Sequence, residues 1–138
     1  MDNASIEYEK FKNKFIYTYN ITNYINNSTT NMIIENKFYN FITNDLKLMY
    51  ENHIVDEYKL IVCFIYFKRF IHFGLIKNSF VNIVIALNLG FKYWEDQCRD
   101  LVYYLNNIIY YEMIILNSNV SLHISPSLYI QTCNFIKE

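Results

Sequence analysis

Two apolar runs, LIVCFIYFKRFI at residues 60–71 and FVNIVIALNLGF at residues 80–91, decide the fold. Drawn as a helix, each run is apolar on almost every side, and a helix of that kind is enclosed by other helices. Their β-branched residues would also suit strands, but each run is about a dozen residues long and has no hairpin turn beside it. Gly74 indicates a turn between the runs, and the small residues Ala86 and Gly90 leave one face open to a close neighbour. The two runs therefore predict a pair of central helices.

Polar helices are predicted before the first apolar run. Residues 5–25 carry an approximate helical stripe of apolar side chains, and the loop NNSTTN at residues 26–31 follows it. A second helix is predicted over residues 33–50, and the next helix begins near Asp56. The two apolar faces are formed by Ile6, Phe11, Phe15, Ile16 and Tyr19 in the first helix and by Phe38, Phe41, Ile42, Leu46 and Met49 in the second.

Shorter helices are predicted after the second apolar run. Residues 99–105 and 108–117 are helix candidates separated by two Asn residues. The final helix has a strong start, because Ser125 can cap it and Pro126 suits the first helical position. The whole pattern is that of an all-α protein.

The composition and charge limit the class of protein and its partners. The chain has 138 residues, 53% of them apolar, which is enough for one core and too short for two domains. Its net charge of -1 gives no electrostatic reason to bind nucleic acid or an anionic membrane. The longest uncharged apolar run, residues 60–67, is far below the ~20 residues of a membrane-spanning helix, and the polar N-terminus resembles no secretory signal. We therefore expect no membrane or nucleic-acid partner and a cytoplasmic or nuclear location, or both.

The sequence lacks the common catalytic and metal-binding motifs. It contains no glycine-rich phosphate loop, no GxSxG and no HExxH. Its three His residues lie in separate segments, its two acidic pairs are adjacent in sequence and point apart on a helix, and its three Cys residues form no CxxC pair. We therefore expect a protein that is not an enzyme, holds no cofactor or metal, and keeps its thiols reduced. The residues concerned are His53, His72, His123, Asp56–Glu57, Glu95–Asp96, Cys63, Cys98 and Cys133.

The two central segments, IVCFIYFKRFI at 61–71 and FVNIVIALNLGFKYWED at 80–96, resemble the cyclin box. In that family a helix with an aliphatic-Tyr-x-x-Arg pattern precedes a central helix that ends on a small residue, Lys, an aromatic and an acid. The Trp-acidic ending and the short chain are most similar to P-type (phosphate-pathway) cyclins. The matching residues are Ile65, Tyr66, Arg69, Leu89, Gly90, Lys92, Tyr93, Glu95 and Asp96.

The chain departs from the cyclin pattern on its second box helix. The family usually has Asp at the position of Lys68, paired with an Arg on the first box helix, and no Arg precedes Arg69 here. Both partners of that ion pair are therefore missing, which is tolerable because no single buried charge is left behind.

The resemblance implies a fold and a partner. The expected fold is a single five-helix cyclin-box-like domain over residues 32–138, preceded by an N-terminal helix and loop over residues 1–31. The implied function is a regulatory subunit that binds a cyclin-dependent protein kinase. Such a subunit holds the kinase C-helix inward, so that its Glu pairs with the strand Lys that positions the ATP phosphates.

The resemblance also implies which residues contact the kinase, in a groove between the third and fifth box helices. The family's basic position falls on Asn78 by strict count, with Lys77 beside it. Its acidic position falls on Glu112, or on Tyr111 if the shorter preceding segment shifts the register by one residue. Apolar contacts are expected from Val81, Ile115 and Leu116, each of which would equally suit plain core packing.

Two rival hypotheses come from other classes of protein. One is a helical protein that binds no kinase, such as a Bcl-2-like peptide binder, although the only Trp is followed by Glu95 and not by the Gly-Arg of that signature. The other is a structural subunit of a larger assembly that uses exposed Tyr residues as its interface.

Overall fold

The protein is all-helical in a computed structural model, which describes residues 6–26, 32–94, 101 and 103–138. No strand occurs in these ranges, so the all-α prediction is confirmed. The helices are α1 (Tyr8–Asn26), α2 (Met32–Asn40), a π-helical turn (Phe41–Asp45), α3 (Leu46–Glu51), α4 (Glu57–Phe73), α5 (Ser79–Trp94), α6 (Ile108–Leu116) and α7 (Pro126–Lys137).

The two apolar runs form the central pair α4 and α5, as predicted. Asp56 caps α4 by accepting a hydrogen bond from the Lys59 backbone N–H at 2.8 Å. Gly74 ends the helix in the left-handed conformation, with φ 66°, which a residue without a Cβ adopts at little cost. A Cβ built on Gly90 would lie 3.4 Å from Cγ1 of Val62 on α4, so the small residue does permit a close approach.

The segments α2, π-helical turn and α3 form one continuous helix, because the residues at both junctions keep right-handed helical φ and ψ. The π-helical turn, which the sequence pattern did not predict, places the consecutive residues Phe41 and Ile42 both in the core. The Phe41 ring then lies edge-on to Phe80 of α5 and to Tyr104, with centroids 5.8 and 5.2 Å apart.

Helix α1 belongs to the same hydrophobic core as the later helices. Phe11 and Phe15 are fully buried, and both rings pack edge-on against Phe64 of α4. The Tyr8 hydroxyl donates to the Ile42 carbonyl oxygen, which joins α1 to the π-helical turn. The predicted apolar stripe of the first helix is therefore correct.

The predicted helix at residues 99–105 is not found in its described part. The backbone N–H groups of Tyr104 and Leu105 both donate to the Leu101 carbonyl, at 2.9 and 3.2 Å, and the turn does not continue into a helix. The loop at 27–31, the acidic pair Glu95–Asp96 and Cys98 lie outside the described residues.

Candidate functional site

A cleft of about 350 Å³ opens beside the first turn of α5. It lies between α2 on one side and the segment that leads into α6 on the other. Two of the predicted site residues, Asn78 and Val81, line it. The lining residues are Lys37, Asn78, Phe80, Val81, Tyr104, Leu105, Asn106, Asn107 and Tyr111.

The start of α5 forms one side of this cleft. The Asn78 side chain accepts a hydrogen bond from the Val81 backbone N–H at 3.2 Å, which fixes the first helical turn. Val81 is buried, whereas Phe80 is half-buried beside the aromatic residues of the opposite wall. Burial is the main reason that the pKa of Tyr104 is raised, and the nearby carboxylate of Asp45 raises it further. The cleft therefore has a fixed helical end and a mixed wall of aromatic rings and asparagine amides.

Among the described residues that line the cleft, Lys37 is the only charged one. Its side chain is exposed, and the ammonium lies 6.0 Å from the centroid of the Phe80 ring. Within the described ranges, no carboxylate lies within ion-pair distance of this ammonium. The cleft therefore has a cation at its rim and no anion of its own.

A second polar cluster joins α6 to the later part of α5. The Lys92 ammonium pairs with Oε1 of Glu112 at 2.8 Å, and the Asn88 amide donates to Oε2 of the same carboxylate. The Asn88 carbonyl oxygen in turn accepts from the Leu101 backbone N–H at 3.3 Å. Glu112 is 4% exposed, so both of its oxygens are used inside the protein. The structure thus places Glu112 inward, and its contact with kinase backbone groups stays a prediction.

The remaining predicted site residues do not gather in the cleft. Lys77 is exposed next to Asn78 without lining it, and Ile115 lies in the core. Leu116 is 43% exposed on α6. It follows Tyr111, the α6 residue in the cleft, by five positions, which is a rotation of about 140° around a helix of 3.6 residues per turn. Leu116 therefore faces away from the cleft.

The residues that carry the cyclin resemblance tie the central helices to the segment between α6 and α7. The Tyr66 hydroxyl donates to the Leu122 carbonyl at 2.7 Å and accepts from the Trp94 indole at 2.6 Å. The Arg69 guanidinium donates to the carbonyls of Ser121 and His123 at 2.8 and 2.7 Å. Burial raises the pKa of Tyr66, and the Trp94 hydrogen bond offsets part of that rise. These side chains therefore act as internal supports.

The end of α5 has a further internal support, which sequence reasoning missed. The buried Lys59 ammonium donates to the Trp94 carbonyl at 2.8 Å, and a cation stabilises the negative end of a helix dipole. Lys37, which also lies outside the predicted set, lines the cleft. Its only sequence signal is its place directly before Phe38, a residue of the predicted apolar face.

The described residues contain neither a candidate metal site nor a candidate membrane-spanning helix. No group of three or more His, Cys, Asp or Glu that could hold a metal occurs among the described residues. Within the same part of the chain, no helix has both the length and the apolar character needed to cross a membrane. Cys63 and Cys133 are free thiols, and burial raises the pKa of Cys63.

No protein-family model, curated protein or solved structure matches the chain. The cyclin resemblance therefore rests on the residues of the chain alone.

Proposed function

We propose that this protein is a non-catalytic, cyclin-like regulatory subunit that binds a cyclin-dependent protein kinase and holds the kinase C-helix inward. One observation carries the proposal. Asn78 and Val81, two of the residues that the resemblance assigns to a kinase groove, both line the cleft beside α5.

The rigidity of the surrounding helices supports such a role. A regulatory subunit shifts a kinase toward its active conformation only if its own contact surface is already formed. Helix α5 is buried along almost its whole length, and Asn78 fixes its first turn. Tyr66 and Arg69 fix the segment beyond α6. The α5 side of the cleft is therefore formed by packed structure.

The kinase contact assigned by this proposal differs in detail from that expected from sequence. Asn78 and Val81 belong to it, Lys77 is exposed next to Asn78 without lining the cleft, and Ile115 supports α6 from the core. Leu116 would contact a kinase only if the partner extended over the outer flank of α6. The carboxylate of Glu112 is engaged by Lys92 and Asn88, so it acts as a support of the groove.

The test is affinity purification of the tagged full chain from its own cells, followed by identification of the associated chains and a kinase assay. Asn106→Trp adds a large side chain at an exposed position on the cleft, and Asn134→Trp adds the same side chain at an exposed position on α7. We expect a kinase with the wild type and with Asn134→Trp, and its loss with Asn106→Trp. No kinase with the wild type overturns the function, and a kinase retained by Asn106→Trp overturns its assignment to the cleft.

A structural or interaction subunit that binds no kinase is the second candidate, favoured by the outer face of α6. That face is apolar and exposed, with Ile109 68% and Tyr110 65% accessible, and Tyr103 just before the helix is 89% accessible. Exposed apolar patches mark interaction surfaces. Purification that recovers a large assembly without a kinase, and that loses it in Tyr110→Asp, would favour this candidate.

A further inference from the structure

We propose that the cleft binds an acidic side chain of a protein partner and that Lys37 on α2 pairs with it. The inference deepens the proposed function and rests on it only for the identity of the partner as a kinase. The occupant is a short peptide segment that carries one Asp or Glu next to apolar side chains.

The charge of the cleft is the first reason. Lys37 is the one charged residue in the described part of its lining, and the start of α5 adds the partial positive charge of a helix N-terminus. Asn106 and Asn107 contribute amide groups at the rim. Asp45 acts on Tyr104 but does not line the cleft. The surface is therefore complementary to an anion.

The environment of Lys37 is the second reason. Its ammonium lies toward the Phe80 ring, 6.0 Å from the centroid, with the half-buried rings of Tyr104 and Tyr111 also lining the cleft. A carboxylate that enters this cleft displaces water from an aromatic surface, and an ion pair is stronger where water is partly excluded. The apolar neighbours of that carboxylate would contact the same rings.

The contrast with Lys92 is the third reason. Lys92 is paired inside the protein with Glu112, whereas no described carboxylate lies within ion-pair distance of Lys37. If the family's acidic position falls on Tyr111, the cleft lacks the acid that the resemblance implies on that helix. A partner can therefore bring its own acid to Lys37 without repulsion from a groove carboxylate.

The size of the cleft limits the occupant to a few side chains. Its volume of about 350 Å³ is at the lower end of the range for ligand pockets, roughly 300–1,000 Å³. It suits one carboxylate and its flanking apolar side chains, and it is too small to enclose a whole helix.

The experiment is selection of a random peptide library, displayed on phage, against the purified full chain. The variants are Lys37→Glu and the matched control Lys68→Glu, the same charge change at an exposed position on α4 outside the cleft. We expect the wild type and Lys68→Glu to enrich peptides with Asp or Glu beside apolar residues. Lys37→Glu should bind those peptides about tenfold more weakly or worse, and should select Lys or Arg at the same peptide position.

Two results would overturn the inference: peptides without an acidic preference, including no enrichment at all, or an acidic preference that Lys37→Glu leaves unchanged. Circular dichroism of both variants checks that they fold, and an exposed charge change leaves the core untouched.

The outcome is separable from that of the proposed function. A kinase that co-purifies equally with wild type and Lys37→Glu removes this inference and leaves the function. If Lys37→Glu loses the acidic preference but the wild-type protein recovers no kinase, the inference stands and the proposed function is overturned.

Discussion

The surroundings of the two ends of α5 use lysine in opposite ways. Toward the end of α5, Lys92 is paired with Glu112, and Asn88 occupies the other carboxylate oxygen. Beside the start of α5 the cleft opens between α2 and the segment that leads into α6, and Lys37 of α2 lies at its rim without a described acidic partner. We call these the closed end and the open end.

The difference shows how to separate structural charges from charges that are available to a partner. A charge whose partner is buried within the same chain holds two helices together, and removal of one partner leaves the other uncompensated. A cation at the edge of an aromatic cleft contributes little to folding and is available for binding. Residue type does not distinguish the two cases, because what faces each side chain decides its role.

The largest expected effect is at the closed end. Glu112→Ala removes a buried carboxylate and leaves the Lys92 ammonium and the Asn88 amide without it. We expect the free energy of unfolding to fall by about 2–3 kcal/mol, below the full value for a buried pair because Lys92 is partly exposed. Urea unfolding measures it. Glu112→Gln, which can still accept from Asn88, should lose less, and an unchanged midpoint in Glu112→Ala would falsify the closed end as a support.

A smaller loss is expected where α4 holds the segment after α6. Arg69→Ala removes two charge-assisted hydrogen bonds, to Ser121 and His123. We expect the free energy of unfolding to fall by about 1.5 kcal/mol. Hydrogen exchange should show faster opening at residues 118–125 than in the control Lys68→Ala, whose side chain is exposed. Equal exchange in the two variants would mean that the segment is held by other contacts.

The Tyr66 hydroxyl gives a pH-dependent test near the closed end. Tyr66→Phe removes the donor to Leu122 and the acceptor for Trp94, so a loss of about 1 kcal/mol is expected at neutral pH. Burial raises the pKa of Tyr66 in the folded state, so its ionisation opposes folding as the pH rises above the ordinary value of 10. Urea midpoints at pH 8 and 10.5 should therefore fall further in the wild type than in Tyr66→Phe. Parallel midpoints would contradict this assignment.

The smallest effect is expected at the open end, where it sharpens the comparison. Lys37→Ala removes an exposed cation without an internal carboxylate, so the free energy of unfolding should change by less than about 0.5 kcal/mol. The same urea titration measures it beside Glu112→Ala. A loss similar to that of Glu112→Ala would show that Lys37 has a structural role, and the two ends would no longer differ.

The positions of most helices follow from local chemistry in the sequence. The helix predicted over residues 33–50 corresponds to α2 through α3 at residues 32–51, and Asp56 and Ser125 cap α4 and α7 as expected. Apolar periodicity and capping residues act within a few positions of one another, so they can be read without tertiary information.

The site was less predictable, because its parts come from distant segments. Asn78 and Val81, which the resemblance named as kinase contacts, line the cleft, but nothing local shows that Lys37 lines it with them or that Glu112 faces inward. The predicted helix at 99–105 was wrong in its described part, where the Tyr104 backbone N–H donates to the Leu101 carbonyl in an isolated turn. The kinase partner itself stays a prediction.

The packing of α1 has a consequence for how the chain is made. Lys10 donates to the Lys137 carbonyl at 3.3 Å, and the Lys14 ammonium lies 4.3 Å from the centroid of the Phe135 ring, so the first helix contacts the last. Synthesis proceeds from the N-terminus, and α1 waits for α4 before Phe11 and Phe15 are covered. A nascent chain in which α4 has not yet left the ribosome therefore exposes the aromatic face of α1.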